Sequence, residues 1–204
     1  MNHKPSFLPL IPGGYYHVYN RGNNRENLFH KPENYSYFLR KYGHYLSNWV
    51  DTYAYCLLPN HFHLLIRVKH IENLPGFQDL EGLDITKAIS QQFRLFFMAY
   101  SKAINKQENR TGSLFQKNFR RILVDNPGYF TRLIFYIHAN PQLHSITQDF
   151  ALYPYSSYAS IISNVPTKLC RNEVLQWFEG QQGFEEFHRQ SIELRQIDQL
   201  LIED

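Results

Sequence analysis

Tyr53-Ala54-Tyr55-Cys56-Leu57-Leu58, then Pro59-Asn60, then His61-Phe62-His63-Leu64-Leu65-Ile66-Arg67-Val68 reads as two strands, rich in aromatic and apolar residues, that meet at a two-residue turn. A hairpin in mid-chain needs neighbours to bury its faces. Upstream, Tyr15-Tyr16-His17-Val18-Tyr19-Asn20 has strand composition, and Asn20-Arg21-Gly22-Asn23-Asn24 stops it with turn residues. Between that strand and the hairpin, Pro32 suits a first helical position, and Tyr35, Phe38, Leu39, Tyr42, Tyr45, Leu46 and Trp49 recur at spacings of mostly three and four. This predicts an amphipathic helix over 32–49.

Downstream, 70–83 holds Pro75, Gly76 and Gly82 and reads as a loop. Asp84 is then a candidate N-cap for a helix to about residue 106, patterned by Ile85, Ile89, Phe93, Phe96, Phe97, Tyr100 and Ile104. A short strand is expected over 119–124. Asn126-Pro127 opens a third helix, which Pro141 should stop near Asn140, because proline disfavours helical geometry in the residue before it. The order β-α-β-β-α-β-α specifies an α+β class, the ferredoxin-like split βαβ arrangement: an antiparallel sheet with the first two helices on one face. Residues 1–148 form this domain. Residues 149–204 are expected to be a C-terminal extension packed on or tethered to it, irregular over 150–165, then helical over 172–178 and 184–202, the last helix charged and on the surface.

The chain has 204 residues, 43% apolar and 19% charged, which excludes disorder and collagen as whole-chain answers. Its two cysteines, Cys56 and Cys170, can build neither a disulfide scaffold nor a four-cysteine zinc site, and fit a reducing compartment. No apolar run approaches a membrane span and the N-terminal apolar stretch is too short for a signal peptide, so a cytoplasmic location without membrane contact is expected. The net charge of +3 conceals an asymmetry. Residues 1–140 carry 17 Lys/Arg against 9 Asp/Glu, and residues 141–204 carry 4 against 9. A basic front portion suits a polyanionic partner.

His61 and His63 flank Phe62, so strand alternation points both imidazoles to one face. The pair is either a divalent-metal chelate or a solvated or hydrogen-bonded sheet pair. On the third helix, Phe130, Leu133, Ile134 and Ile137 form an apolar stripe, while Arg132, Tyr136 and Asn140 recur every four residues on a polar face. Lys117, Arg120 and Arg121 beside Phe115 and Phe119, with Arg21 and Arg25 after the first strand, are candidates for phosphate contact and base stacking. No P-loop or dinucleotide fingerprint is present.

Leu57-Leu58-Pro59-Asn60-His61-Phe62-His63-Leu64-Leu65 and Tyr136-Ile137-His138-Ala139-Asn140-Pro141 together resemble the REP-associated branch of the single-tyrosine HUH transposases. Three further blocks extend the resemblance: His17-Val18-Tyr19-Asn20-Arg21-Gly22, Gly112-Ser113-Leu114-Phe115-Gln116 and Tyr153-Pro154-Tyr155-Ser156-Ser157-Tyr158. The resemblance implies a ferredoxin-like enzyme that cleaves and rejoins single-stranded DNA near hairpin or palindromic sequences through a 5′-phosphotyrosine. It implies His61 and His63 as metal ligands, Tyr136 as nucleophile and Asn140 as the residue completing the metal site. Two imidazoles and an amide suit Mg²⁺ or Mn²⁺. Such a protein works as a monomer or homodimer. The alternative from the fold alone is a non-catalytic single-stranded nucleic-acid-binding module, and a third reading is a metal-dependent nuclease that uses water in place of tyrosine.

Overall fold

The computed structural model describes residues 8–70, 72 and 84–190. Most of the loop expected over 70–83, and the part of the last expected helix beyond 190, lie outside the described residues. The core elements are β1 (Tyr15–Arg21), α1 (Pro32–Leu46), β2 (Val50–Leu58), β3 (His61–Val68), α2 (Ile85–Gln107), β4 (Arg120–Leu123) and α3 (Pro127–Leu143). The four strands form one sheet in the order β2-β3-β1-β4, every neighbouring pair antiparallel. This is the α+β, ferredoxin-like order expected from the sequence.

The helix starts follow the predicted caps. The Asp84 side chain accepts the Lys87 N–H and that of Asn126 accepts the Tyr129 N–H, while Pro32 and Pro127 occupy first-turn positions that need no N–H partner. The first helix ends at Leu46 rather than at Trp49, whose N–H instead closes a turn onto the Leu46 carbonyl.

The pleat sorts side chains between two cores. Tyr16, Val18, Phe62, Leu64, Ile66 and Val68 pack with Phe38 of α1 and Phe93, Phe96 and Tyr100 of α2. The opposite sheet face sends Cys56, Leu58 and Leu65 against Leu133, Ile134 and Ile137 of α3. A bulge between Thr52 and Ala54 breaks the alternation, so the successive residues Tyr53 and Ala54 both enter this second core. Helices thus cover both sheet faces, and the face that carries His61 and His63 is roofed by α3.

Three expectations are corrected. The third helix runs through Pro141 to Leu143. Proline's fixed φ fits a helix, and its missing N–H costs one bond close to the end, where His144 N–H reaches the Asn140 carbonyl and Ile146 N–H the Pro141 carbonyl. The span 150–165 contains a 3-10 turn at Phe150–Leu152 and a short helix, α4 (Tyr158–Ile162). Two more helices follow, α5 (Arg171–Trp177) and α6 (Gln181–Arg189). The last is not a purely surface element: α6 buries Phe184 and His188, and Phe184 joins Tyr158, Ile161, Val174 and Phe178 in the second core. Among the described residues no helix is long and apolar enough to cross a membrane.

Candidate metal and nucleic-acid site

Antiparallel register sets Tyr19 opposite His63 and Arg21 opposite His61. Both imidazoles lie under α3, at 5% and 0% exposure, with ring centroids 5.2 Å apart. Each Nδ1 is engaged. That of His61 lies 2.7 Å from Asn60 Oδ1, which can only accept, so Nδ1 donates and Nε2 carries the lone pair. That of His63 lies 2.9 Å from Nε2 of His17. Burial pushes the His61 imidazole down to about 3, with His144 and Arg21 adding to the effect and the Asn140 amide opposing it. Burial likewise lowers His63, helped by His17, His61, His144 and Arg21. Both rings are therefore neutral at pH 7, the form that binds cations.

The α3 helix supplies the other wall. The Tyr136 ring stands edge-on to His63 at 5.6 Å and to His17 at 6.3 Å. One turn on, Asn140 is fully buried, and its Nδ2 donates to the Tyr136 carbonyl at 3.3 Å. Its Oδ1 meets no hydrogen-bond donor among the described residues, and neither does Nε2 of His61 beside it. Two neighbouring buried acceptors without a donor are costly, and the lowered pKa of His61 means that a proton does not relieve them. A bound cation would. Among the described residues no group of three His, Cys, Asp or Glu side chains is arranged to hold a metal, so the donors here are two imidazoles and an amide, a mixed nitrogen and oxygen set compatible with a divalent cation.

Beside His61 opens a cleft of about 200 Å³ lined by Tyr19, Asn20, Arg21, Arg25, Gln116 and Arg120. Three of the predicted phosphate-contact arginines thus share one cavity with a predicted metal ligand. The turn after β1 builds the cleft. Arg25 sits in left-handed backbone, and Gly22 N–H and Asn23 N–H bond the Asn60 and Leu114 carbonyls, tying the hairpin turn to the 112–116 segment. Gly22 admits no side chain there, because a Cβ would lie 1.9 Å from the Glu26 carbonyl oxygen. The Arg120 guanidinium stands 6.0 Å from the Tyr19 ring centre.

Arg121 departs from the expectation. It is opposite Val18, on the other sheet face, where it reaches Ser90 of α2 at 3.4 Å and lies over the Phe119 ring at 5.2 Å. Its Nε is buried without a hydrogen bond, and burial lowers its pKa. It is a half-covered packing cation, not part of the cleft. Lys117 and Arg132 are exposed, and neither lines the cleft.

Three histidine-site residues escape motif reading. His17 touches His63, Asn60 touches His61, and the His144 ring lies 4.9 Å from that of His61. The signal for His17 is register: His17, Tyr19 and Arg21 alternate onto the face that carries His61 and His63. For His144 it is helical phase, two turns after Tyr136 on a helix expected to have ended.

No family model matches the chain, and no curated protein matches it. The fold is similar to a solved structure of a REP-associated tyrosine transposase bound to a REP hairpin, with a TM-score of 0.60 and 16% identity, covering 81% of this chain and 89% of that one. The likeness at this identity establishes a shared fold.

Proposed function

We propose that the protein is a divalent-metal-dependent transposase or endonuclease acting on single-stranded DNA, in which Tyr136 is the nucleophile. The observation that carries this reading is the convergence of Tyr136 and Asn140 of α3 on the His61–His63 pair, next to an arginine-lined cleft. The hairpin bound by the structurally similar transposase supports a hairpin-bearing strand as the substrate.

His61, His63 and Asn140 would hold the metal, which when bound offsets charge on the phosphate's non-bridging oxygens. Arg21, Arg25 and Arg120 hold the strand by its phosphates and orient the scissile group. The Tyr136 hydroxyl loses its proton and bonds to phosphorus, the P–O3′ bond breaks, and the departing 3′-oxygen takes up a proton. The 5′-phosphotyrosine keeps the phosphodiester energy for rejoining to another 3′-hydroxyl. Incubation with a hairpin-bearing single strand and Mn²⁺ tests the reading: it predicts a DNA–protein adduct that survives denaturation and is missing from Tyr136→Phe. Cleavage without an adduct would instead make the protein a nuclease that uses water.

One observation favours a second reading. Tyr136 is 1% exposed, so attack on a phosphate requires the groups that cover its hydroxyl to move. A non-catalytic single-strand-binding module needs no such movement. Tight binding of the same strand without cleavage or adduct at any metal concentration selects it.

A further inference from the structure

His17 is shut off from solvent, yet it sits at the centre of the site. It is 2% exposed on β1, its ring near-parallel to that of His63 at 22° with centroids 5.2 Å apart, and with Tyr19 and Tyr136 as its other aromatic neighbours. Its Nε2 lies 2.9 Å from His63 Nδ1. Two ring nitrogens at this distance, with both rings shut off from solvent, share one proton across the bond.

That proton has two possible homes with opposite consequences. On His63 Nδ1 it is donated to His17, and the His63 lone pair is on Nε2. On His17 Nε2 it is donated to His63, whose other proton must then occupy Nε2, and the ring cannot bind a cation. Asn60 presents His61 with an acceptor only, which settles its tautomer.

We infer that His17 is the positioning residue for His63: it accepts the Nδ1–H, fixes the ring against β1 and keeps the lone pair on Nε2, where a divalent cation takes it. The inference rests on the metal reading of His61, His63 and Asn140. It adds a residue that touches neither metal nor DNA and sets the cation affinity of one that does.

The test compares wild type, His17→Gln, which keeps an acceptor, and His17→Phe, which keeps the ring without one. Mn²⁺ affinity is read by electron paramagnetic resonance of the free ion. The His63 tautomer is read in metal-free protein by ¹⁵N–¹H correlation of the ring. Wild type should show His63 protonated on Nδ1. The Phe variant should bind Mn²⁺ roughly 10- to 100-fold more weakly, the usual cost of losing a group that orients a ligating histidine, and the Gln variant should stay within a few-fold of wild type. If the Phe variant does not fold, the wild-type tautomer decides. A wild-type His63 protonated on Nε2, or a folded Phe variant that binds Mn²⁺ as tightly as wild type, overturns the role of His17. Wild type that binds no Mn²⁺ overturns the metal reading itself, which separates the two failures.

Discussion

The molecule buries two histidine clusters of similar depth on opposite sides of α3, and they differ in how their ring nitrogens are used. In the C-terminal cluster His138 Nδ1 meets His188 Nε2 at 3.0 Å, His138 Nε2 meets the Ser157 hydroxyl at 2.7 Å and His188 Nδ1 donates to the Phe184 carbonyl at 2.8 Å. Ser157 in turn accepts the Tyr55 N–H and so ties the pair to β2. Every nitrogen there is spent inside the protein. In the sheet cluster the Nδ1 of His61 and that of His63 are spent, while Nε2 of His61 faces a site whose other buried acceptor, Asn140 Oδ1, has no donor either. Burial alone does not distinguish a structural histidine from a functional one. The count of satisfied nitrogens does.

Tyr136 and His138 sit two residues apart on α3 and face the two clusters, so exchanging their fates is the sharpest way to break the contrast. Tyr136→Phe should lower adduct formation by about 10⁴-fold or more, as loss of a covalent nucleophile does, with melting almost unchanged. His138→Phe should do the reverse: retained adduct chemistry, with stability reduced by about 1–3 kcal/mol because Ser157 and His188 lose a buried partner. Gel analysis of adducts and thermal melts of both variants check this. A stable, adduct-competent Tyr136→Phe protein would move the nucleophile elsewhere, with Tyr129 the nearest tyrosine on the helix.

Ligand removal should grade the sheet cluster. His61→Ala and His63→Ala are expected to abolish cleavage at any Mn²⁺ concentration, whereas Asn140→Ala weakens it in a way that excess Mn²⁺ partly restores, an imidazole being the stronger donor. Titrating cleavage against Mn²⁺ distinguishes the three. Unchanged metal dependence throughout would remove these residues from any metal role.

Acid should act on both clusters together. Burial holds His17 and His61 down to about 3 and His188 to about 4, and lowers His63 and His138 in the same direction. Below about pH 6.5 the unfolded chain binds protons that the folded chain refuses, so stability is complete above that pH and declines as pH falls toward 4. Each imidazole adds up to about 1.4 kcal/mol per pH unit. Circular-dichroism melts at pH 7 and pH 5 should show a clear fall in Tm, and a Tm independent of pH over this interval would contradict the burial of these rings as neutral groups.

Much of this architecture is written in short-range signals. Asp84, Asn126 and the prolines at 32 and 127 mark helix starts through local hydrogen bonding, and strand alternation around Phe62 is enough to place both histidines on one face. The features that are not legible locally are long-range. Nothing near His17 says that its partner is 46 residues away, since only the β1–β3 register brings them together. The bulge at Tyr53 lies where β2 meets a segment more than 100 residues away, through the Thr52–Leu169 bridge and the hydrogen bond from the Tyr53 hydroxyl to Glu173. Lys117, Arg120 and Arg121 look like one charge cluster along the chain, but a strand sends neighbours to opposite faces, and β4 separates Arg121 from Arg120 for that reason.

That separation yields the smallest but most discriminating effect. Arg120 lines the cleft beside His61 and Tyr19, while Arg121 lies under α2 on Phe119 and Ser90. The two are adjacent in sequence and identical in charge, so net electrostatics cannot separate them. If strand binding runs through the cleft, Arg120→Gln should weaken binding to all single strands alike and reduce the slope of log K against log salt by about 0.7, one phosphate contact. Arg21→Gln and Arg25→Gln should each do the same. Arg121→Gln should leave the slope unchanged and act, if at all, on melting, because its half-covered guanidinium packs on Phe119 and Ser90 on the sheet face away from the cleft. Fluorescence-anisotropy titrations at several salt concentrations measure the slopes. Equal loss from Arg120→Gln and Arg121→Gln would mean that the strand tracks the whole basic front and not the cleft. A flat response from Arg120→Gln with a steep one from Arg121→Gln would place the nucleic acid on the α1–α2 face, away from His61, His63 and Tyr136, and would detach binding from the proposed chemistry.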